Sequence, residues 1–154
     1  MEYLLMALLA GLALGLDQLT KLLTVTHIAP HAQIPVIPGI VHLTYAQNTG
    51  AAFSMLRGQQ WLFALIFGVF TIFLLIELWK KPLKLPKFER FCAVAIWAGG
   101  LGNMIDRLRL GYVIDMIETE FITFPVFNVA DCFITCGAIL LIAHMLLTGE
   151  LLKK

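Results

Sequence analysis

The sequence predicts an all-α membrane protein, a four-transmembrane-helix bundle with a small β-like extracytoplasmic lobe. Three observations carry that reading. First, the 154 residues are 60% hydrophobic and 14% charged, with mean hydropathy +0.87, whereas an average soluble domain is about 45–50% apolar and about 25% charged. Second, apolar stretches recur at about 3–25, 60–79, 91–105 and 128–147, and a helix crosses a bilayer with about 20 residues, a length the third stretch approaches by starting a turn earlier. Third, residues 26–59 break that pattern with prolines and a β-branched run. Residues 1–154 read as one integral membrane domain. The formal net charge of +1 leaves no basic surface for nucleic acid.

The first stretch opens with Glu2 where a secretory signal would carry basic residues, and no good cleavage site follows. It reads as a retained membrane helix that also directs insertion. Its last turns hold Asp17 and Lys21 at i, i+4, the better order for a helical ion pair. They either pair within the bundle or snorkel together at the helix end.

Between the first and second stretches, Pro30, Pro35, Pro38 and Gly39 argue against a helix. Ile40 to Tyr45 is β-branched and aromatic and reads as a short strand. Asn48-Thr-Gly-Ala-Ala-Phe-Ser follows, and Asn48 serves either as a turn residue or as part of a site. His27, His31 and His42 are scattered through this lobe without the convergent spacing of a metal site. No metal and no cofactor is expected.

The second stretch is bracketed by Trp61 and Trp79, as aromatic residues bracket a span at its two interfaces. Glu77, near its end, reads as interfacial. A short basic connection follows, with Lys80, Lys81, Lys84, Lys87 and Arg90. The fourth stretch opens with Asn128, an N-cap residue by type, and Asp131 in its first turn suits the positive end of the helix dipole. Thr135 continues that face. Lys153 and Lys154 end the chain.

The cysteines, Cys92, Cys132 and Cys136, all fall inside apolar stretches and read as small buried apolar residues. A cysteine nucleophile needs a nearby base. His144 lies on the same helix as Cys132 but roughly 18 Å away at 1.5 Å per residue.

The organising stretch is Gly99 to Asp115. Asn103, Asp106 and Arg107 share a helix face at i, i+3 and i+4. Gly99, Gly100 and Gly102 precede them and let a neighbouring helix approach. Gly111 marks a break, the segment from 108 to 127 reads as a loop, and Asp115 sits in the apolar run Tyr-Val-Ile-Asp-Met-Ile. The basic connection and the basic tail belong in the cytoplasm by the positive-inside rule. Four spans then place both termini inside, with the 26–59 lobe and the 108–127 loop outside. Arg107 and Arg109 run against that bias. Asp17, Lys21, Asn48, Asn103, Asp106, Asp115, Asn128 and Asp131 all fall near the outer face.

Two carboxylates in a poorly hydrated site cannot both ionise comfortably, so the pair shares a proton. Such a pair activates a water with one member and polarises a carbonyl with the other. Asp115 and Asp131 are the candidates. Proton-coupled transporters also place acids in membranes.

In order along the chain, Asp17-Gln-Leu-Thr-Lys21, Asn48-Thr-Gly-Ala-Ala-Phe53, Gly99-Gly-Leu-Gly-Asn103-Met-Ile-Asp106-Arg107, Val113-Ile-Asp115 and Phe127-Asn128-Val-Ala-Asp131 make the sequence resemble the lipoprotein signal peptidase (signal peptidase II) family of the bacterial inner membrane. The likeness extends over essentially the whole chain. It implies an intramembrane aspartic endopeptidase, monomeric in membrane lipid, acting on prolipoproteins just before a cysteine bearing a diacylglyceryl group. It assigns catalysis to Asp115 and Asp131 and a polar shell to Asp17, Lys21, Asn48, Asn103, Arg107 and Asn128. Asp106 is outside the catalytic pair. Met116 stands where the family usually has Phe. A site at the outer face lets lipid tails stay in the bilayer while the peptide enters a polar pocket, and the 26–59 lobe is expected to roof it. The alternatives are a small proton- or solute-transporting membrane protein and a lipid-binding assembly factor without chemistry.

Overall fold

A computed structural model describes residues 1–29, 32–50, 59–80 and 83–149. Pro30, His31, Ala51, Ala52, Phe53, Ser54, Lys81, Lys153 and Lys154 lie outside the described residues. The element order is α1 (Glu2–His27), β1 (Ile34–Ile37), β2 (Val41–Asn48), α2 (Gln60–Lys80), α3 (Lys87–Leu110), β3 (Val113–Thr119) and α4 (Val129–Thr148).

Helices α1, α2 and α4 are long and apolar enough to cross a membrane. Their outward faces leave large side chains exposed, such as Leu8, Leu12, Leu65, Val69, Ile139 and Leu146. Contiguous exposed apolar surface on this scale fits lipid rather than water. Helix α3 packs against each of the other three helices. It extends beyond the stretch of 91–105 at both ends because its charged ends are partnered. Glu89 meets His144, Arg90 meets Glu2, and Asp106 meets Lys21. It stops where Gly111 takes a left-handed φ of +80° and donates its N–H to the Arg107 carbonyl at 3.0 Å.

Close approach of α3 to α4 depends on missing side chains. A Cβ at Gly99 would collide with the Ala130 carbonyl oxygen and lie 2.9 Å from Ile134. One at Gly137 would lie 2.9 Å from Ile96. On the far side of the bundle, Met6, Leu74, Ala93 and Val94 form a core joining α1, α2 and α3.

The segment from 108 to 127 is not the loop its sequence suggests. Val113–Thr119 is a strand that completes an antiparallel sheet in the order β1-β2-β3. Alternation is obscured because Asp115 is buried on it and Met116, beside it, is buried too. Pro35 is tolerated because β1 is an edge strand. Leu43 pairs with Ile117 and Ala46 with Asp115, so β2 carries an extra residue between them. On the other edge of β3, Phe127 bridges to Ile117.

Glu77, near the end of α2, does not face solvent. It is fully buried, and its two oxygens accept the Leu83 and Leu85 N–H groups at 3.0 Å each. It thereby shapes the α2–α3 connection. The start of α1 lies at the same end of the bundle, held by Arg90 on Glu2 and by the Tyr3 hydroxyl donating to the Leu78 carbonyl at 3.0 Å.

Candidate active site

The site forms where α1, α3 and α4 meet the sheet. Asn128 is the N-cap of α4. Its Oδ1 accepts the Asp131 N–H at 3.0 Å, and the Asp131 carboxylate accepts the Asn128 N–H at 3.1 Å, a reciprocal capping box. The capping role is therefore real, but it leaves the Asn128 amide free. That amide donates to Asp115 Oδ1 at 2.6 Å, Asn103 Oδ1 at 3.1 Å and the Ile114 carbonyl at 3.3 Å.

The two acids are thus joined through one residue. Asp115, on β3, accepts from Asn128 on one oxygen and from Asn48 Nδ2 on the other at 2.9 Å. Asp131, on α4, accepts from Asn103 Nδ2 at 2.8 Å and from the Asn128 backbone. Asp115 is 2% exposed, whereas Asp131 is half-buried. Burial pushes the Asp115 carboxyl up to about 7, and the neighbouring Asp131 charge pushes the same way, while hydrogen bonds from Asn48 and Asn128 oppose the rise.

Behind the acids lies a buried ion cluster. Lys21 Nζ contacts Asp17 at 2.9 Å, Asp106 at 2.9 Å and Asn103 Oδ1 at 2.9 Å, which uses its three donors. Asp17 and Lys21 are not a snorkelling pair, since each is at most 2% exposed. Asp17 also accepts the Ala130 N–H at 3.0 Å, in the first turn of α4. Asp106 accepts the Ile114 N–H at 3.2 Å, so it ties α3 to the strand bearing Asp115. Gly102 is required beside this cluster because a Cβ there would collide with the Asp17 carboxylate.

Arg107 makes no direct hydrogen bond to either acid. Its guanidinium donates to the Gly50 carbonyl at 2.9 Å and the Asn103 carbonyl at 3.2 Å, and lies 4.3 Å from the centre of the Phe63 ring. It joins α2, α3 and the end of the β2 segment.

Asp115 and Asp131 face a cavity of about 420 Å³, lined also by Asn48, Asn103 and Arg107. Its remaining wall comes from Phe124 to Phe127 and from Cys132, Thr135 and Cys136. Two of the cysteines are not the buried packing residues that their apolar stretches suggest. Cys92 is buried, but Cys132 is half-buried and Cys136 exposed, and both line the cavity. The wall residues escape sequence reasoning because they are apolar or small; only the Asp131 to Thr135 spacing points to their face. Gln18 also contributes, although nothing in its sequence context singles it out. Its amide bridges Asp17 at 3.1 Å and Asp106 at 3.2 Å. Among the described residues, no group of three His, Cys, Asp or Glu is arranged to hold a metal ion.

A model of the family described as Signal peptidase (SPase) II matches residues 9–147. The chain belongs to the signal peptidase II family. It is 49% identical over 131 residues to the lipoprotein signal peptidase of Streptococcus pyogenes serotype M5 (strain Manfredo), covering 85% of this chain and 86% of that one. The protein of the same description from serotype M18 (strain MGAS8232) matches with the same identity and coverage. A solved bacterial membrane enzyme, determined by the in meso method at 2.3 Å resolution, superposes with a TM-score of 0.85 and 34% identity, covering 97% of this chain and 91% of that chain. A second such structure, at 1.9 Å, gives 0.80 and 34%, with 92% of each chain covered. As a signal peptidase II, this chain is a bacterial membrane protease.

Proposed function

We propose that this signal peptidase II removes prolipoprotein signal peptides by aspartic catalysis, with Asp115 and Asp131 as the catalytic pair. The supporting observation is that both carboxylates meet at Asn128, one on its side chain and one on its backbone, and both face one cavity. Asp115 holds the proton at rest because it is the more deeply buried acid and its carboxyl is pushed up to about 7.

The chemistry follows from that asymmetry. The Asp131 carboxylate takes a proton from a water held between the acids, and Asp115 donates its proton toward the scissile carbonyl oxygen. The water oxygen bonds to the carbonyl carbon, giving a tetrahedral intermediate. Asp131 then returns its proton to the leaving nitrogen as the C–N bond breaks, and Asp115 recovers a proton from the collapsing oxygen. Products are a carboxylic acid and an amine, and the pair is restored. Asn48, Asn103 and Asn128 orient the two carboxylates, while Asp17, Lys21 and Arg107 hold the elements that carry them.

The same proposal includes cleavage before a diacylglyceryl-modified cysteine, α3 as the fourth membrane crossing, both termini in the cytoplasm, and the site near the outer face. The protein works as a single-domain monomer in membrane lipid. The described part of the 26–59 lobe supports a roofing role, since β2 supplies Asn48 to the site.

Purified protein incubated with diacylated and unmodified precursor tests this reading, beside Asp115→Asn and Asp131→Asn. Each variant should lose processing by at least about a hundredfold while inserting normally. Normal processing of lipidated precursor by either variant refutes the pair.

A further inference from the structure

On the sheet, away from the cavity, His42 of β2 lies between an acid of β3, Glu118, and the acid that directly follows the strand, Glu120. It is 6% exposed. Its Nε2 is 2.6 Å from Glu118 Oε2 and its Nδ1 is 3.1 Å from Glu120 Oε1. A neutral imidazole has a single N–H and cannot donate to both carboxylates; an imidazolium has two.

The surroundings make this a clasp rather than a lone ion pair. His42 and Glu118 are direct cross-strand partners. The other Glu120 oxygen accepts the Gly39 N–H at 2.8 Å, and the Glu120 N–H donates to the Ile40 carbonyl at 2.9 Å. The turn between β1 and β2 is therefore gathered onto the end of β3. Asp115 lies three residues back along that strand. Between clasp and Asp115 the ladder is interrupted by the extra residue of β2, so regular pairing alone does not carry register from one to the other. The clasp secures one end of the β2–β3 pair and the Asn48–Asp115 hydrogen bond secures the other.

We propose that His42, as an imidazolium between Glu118 and Glu120, is a positioning residue for the strand that carries Asp115, and that losing its ring proton slows processing. The inference rests on Asp115 being catalytic. The charged groups bearing on His42 are Glu118 from β3 and Glu120 just after it; β1 brings Pro35 opposite it and no titratable side chain. The hydrogen bond to Glu118 raises the His42 pKa most, burial opposes it, and Glu120 adds to the rise. The sign follows: a raised pKa makes the clasp complete below the ordinary imidazole value of 6.5 and lost as pH rises through the higher folded value.

The test uses the full chain in detergent micelles. With ¹⁵N-labelled histidine, and His42→Gln to assign the signal, both His42 ring nitrogens should carry protons near neutral pH; a neutral single tautomer overturns the proposal. Replacing both Glu118→Gln and Glu120→Gln should move the His42 proton loss to lower pH, and an unmoved midpoint overturns it. In the processing assay, wild type should exceed His42→Gln in kcat by roughly tenfold near pH 6, with KM little changed, and the two should converge near pH 9. Deprotonation of Asp115 slows both proteins alike and cancels in this ratio. A ratio constant with pH overturns the positioning role, whereas an active Asp115→Asn variant sinks the catalytic assignment instead.

Discussion

At the scale of single residues, Asn128 carries two duties that substitution can separate. Its side-chain oxygen caps α4, and its amide donates to Asp115. Asn128→Ser keeps a capping oxygen and loses the amide, so helix stability should stay within about 1 kcal/mol of wild type. Asn128→Ala loses both. The amide bond favours the ionised carboxylate, so without it Asp115 holds its proton more tightly. In wild type the rate should follow a bell, falling on the alkaline side around pH 7 as Asp115 ionises and on the acid side as the pair gains a second proton. In Asn128→Ser the alkaline midpoint should move upward while the maximal rate falls. A pH–rate series on both proteins checks this, and an unmoved midpoint would show that the amide does not govern Asp115. The polar residues of this site were legible in the sequence because charges and amides in apolar segments stand out. The Phe124 to Phe127 wall was not, since apolar residues there look like any other membrane-facing run.

At the scale of elements, the helices could be read and two of the strands could not. Apolar runs mark α1, α2 and α4 directly. Pro35, which only an edge position accommodates, hides β1, and Asp115, a charged residue that is buried where alternation would expose it, hides β3. The third helix is longer than its apolar stretch because its terminal charges, which resemble loop residues in the sequence, find partners in Glu2, His144 and Lys21. The glycines of α3 were read correctly as places of close approach. The contact at Gly99 is against a backbone carbonyl of the first turn of α4, the turn that holds Asp131. A backbone atom cannot rotate aside as a side chain does. Gly99→Ala should therefore force α3 and α4 apart, lowering stability by about 1–3 kcal/mol and reducing processing more than that loss alone explains. Thermal unfolding in micelles, paired with the processing assay at a temperature where the variant is fully folded, separates the two effects. Gly11→Ala, where a Cβ meets nothing within 4 Å, is the control and should leave processing unchanged and stability equal or higher by up to about 1 kcal/mol.

At the scale of the whole molecule, the charge distribution and the site lie at opposite ends of α3. Lys87 begins that helix, and Asn103 lies 16 residues later, roughly 24 Å along the axis at 1.5 Å per residue. Lys80, Lys84, Lys87 and Arg90 gather at the first end, where Glu2 and Tyr3 bring the start of α1 as well. Asn103, Asp106 and Arg107 stand at the other, beside the sheet. Basic residues in short connections stay on the cytoplasmic side of a membrane, so the proposed orientation has the start of α1 in the cytoplasm and the sheet outside. Arg107 does not contradict this, because its charge is engaged with the Gly50 and Asn103 carbonyls and the Phe63 ring. Two single-cysteine proteins test the assignment, with Cys92, Cys132 and Cys136 replaced by alanine and a new thiol introduced by Gln47→Cys on β2 or Lys84→Cys in the basic connection. In intact cells a membrane-impermeant maleimide should label the first and spare the second, and permeabilisation should expose the second. The reverse pattern would put the sheet in the cytoplasm, where the acids could not meet a precursor at the outer leaflet.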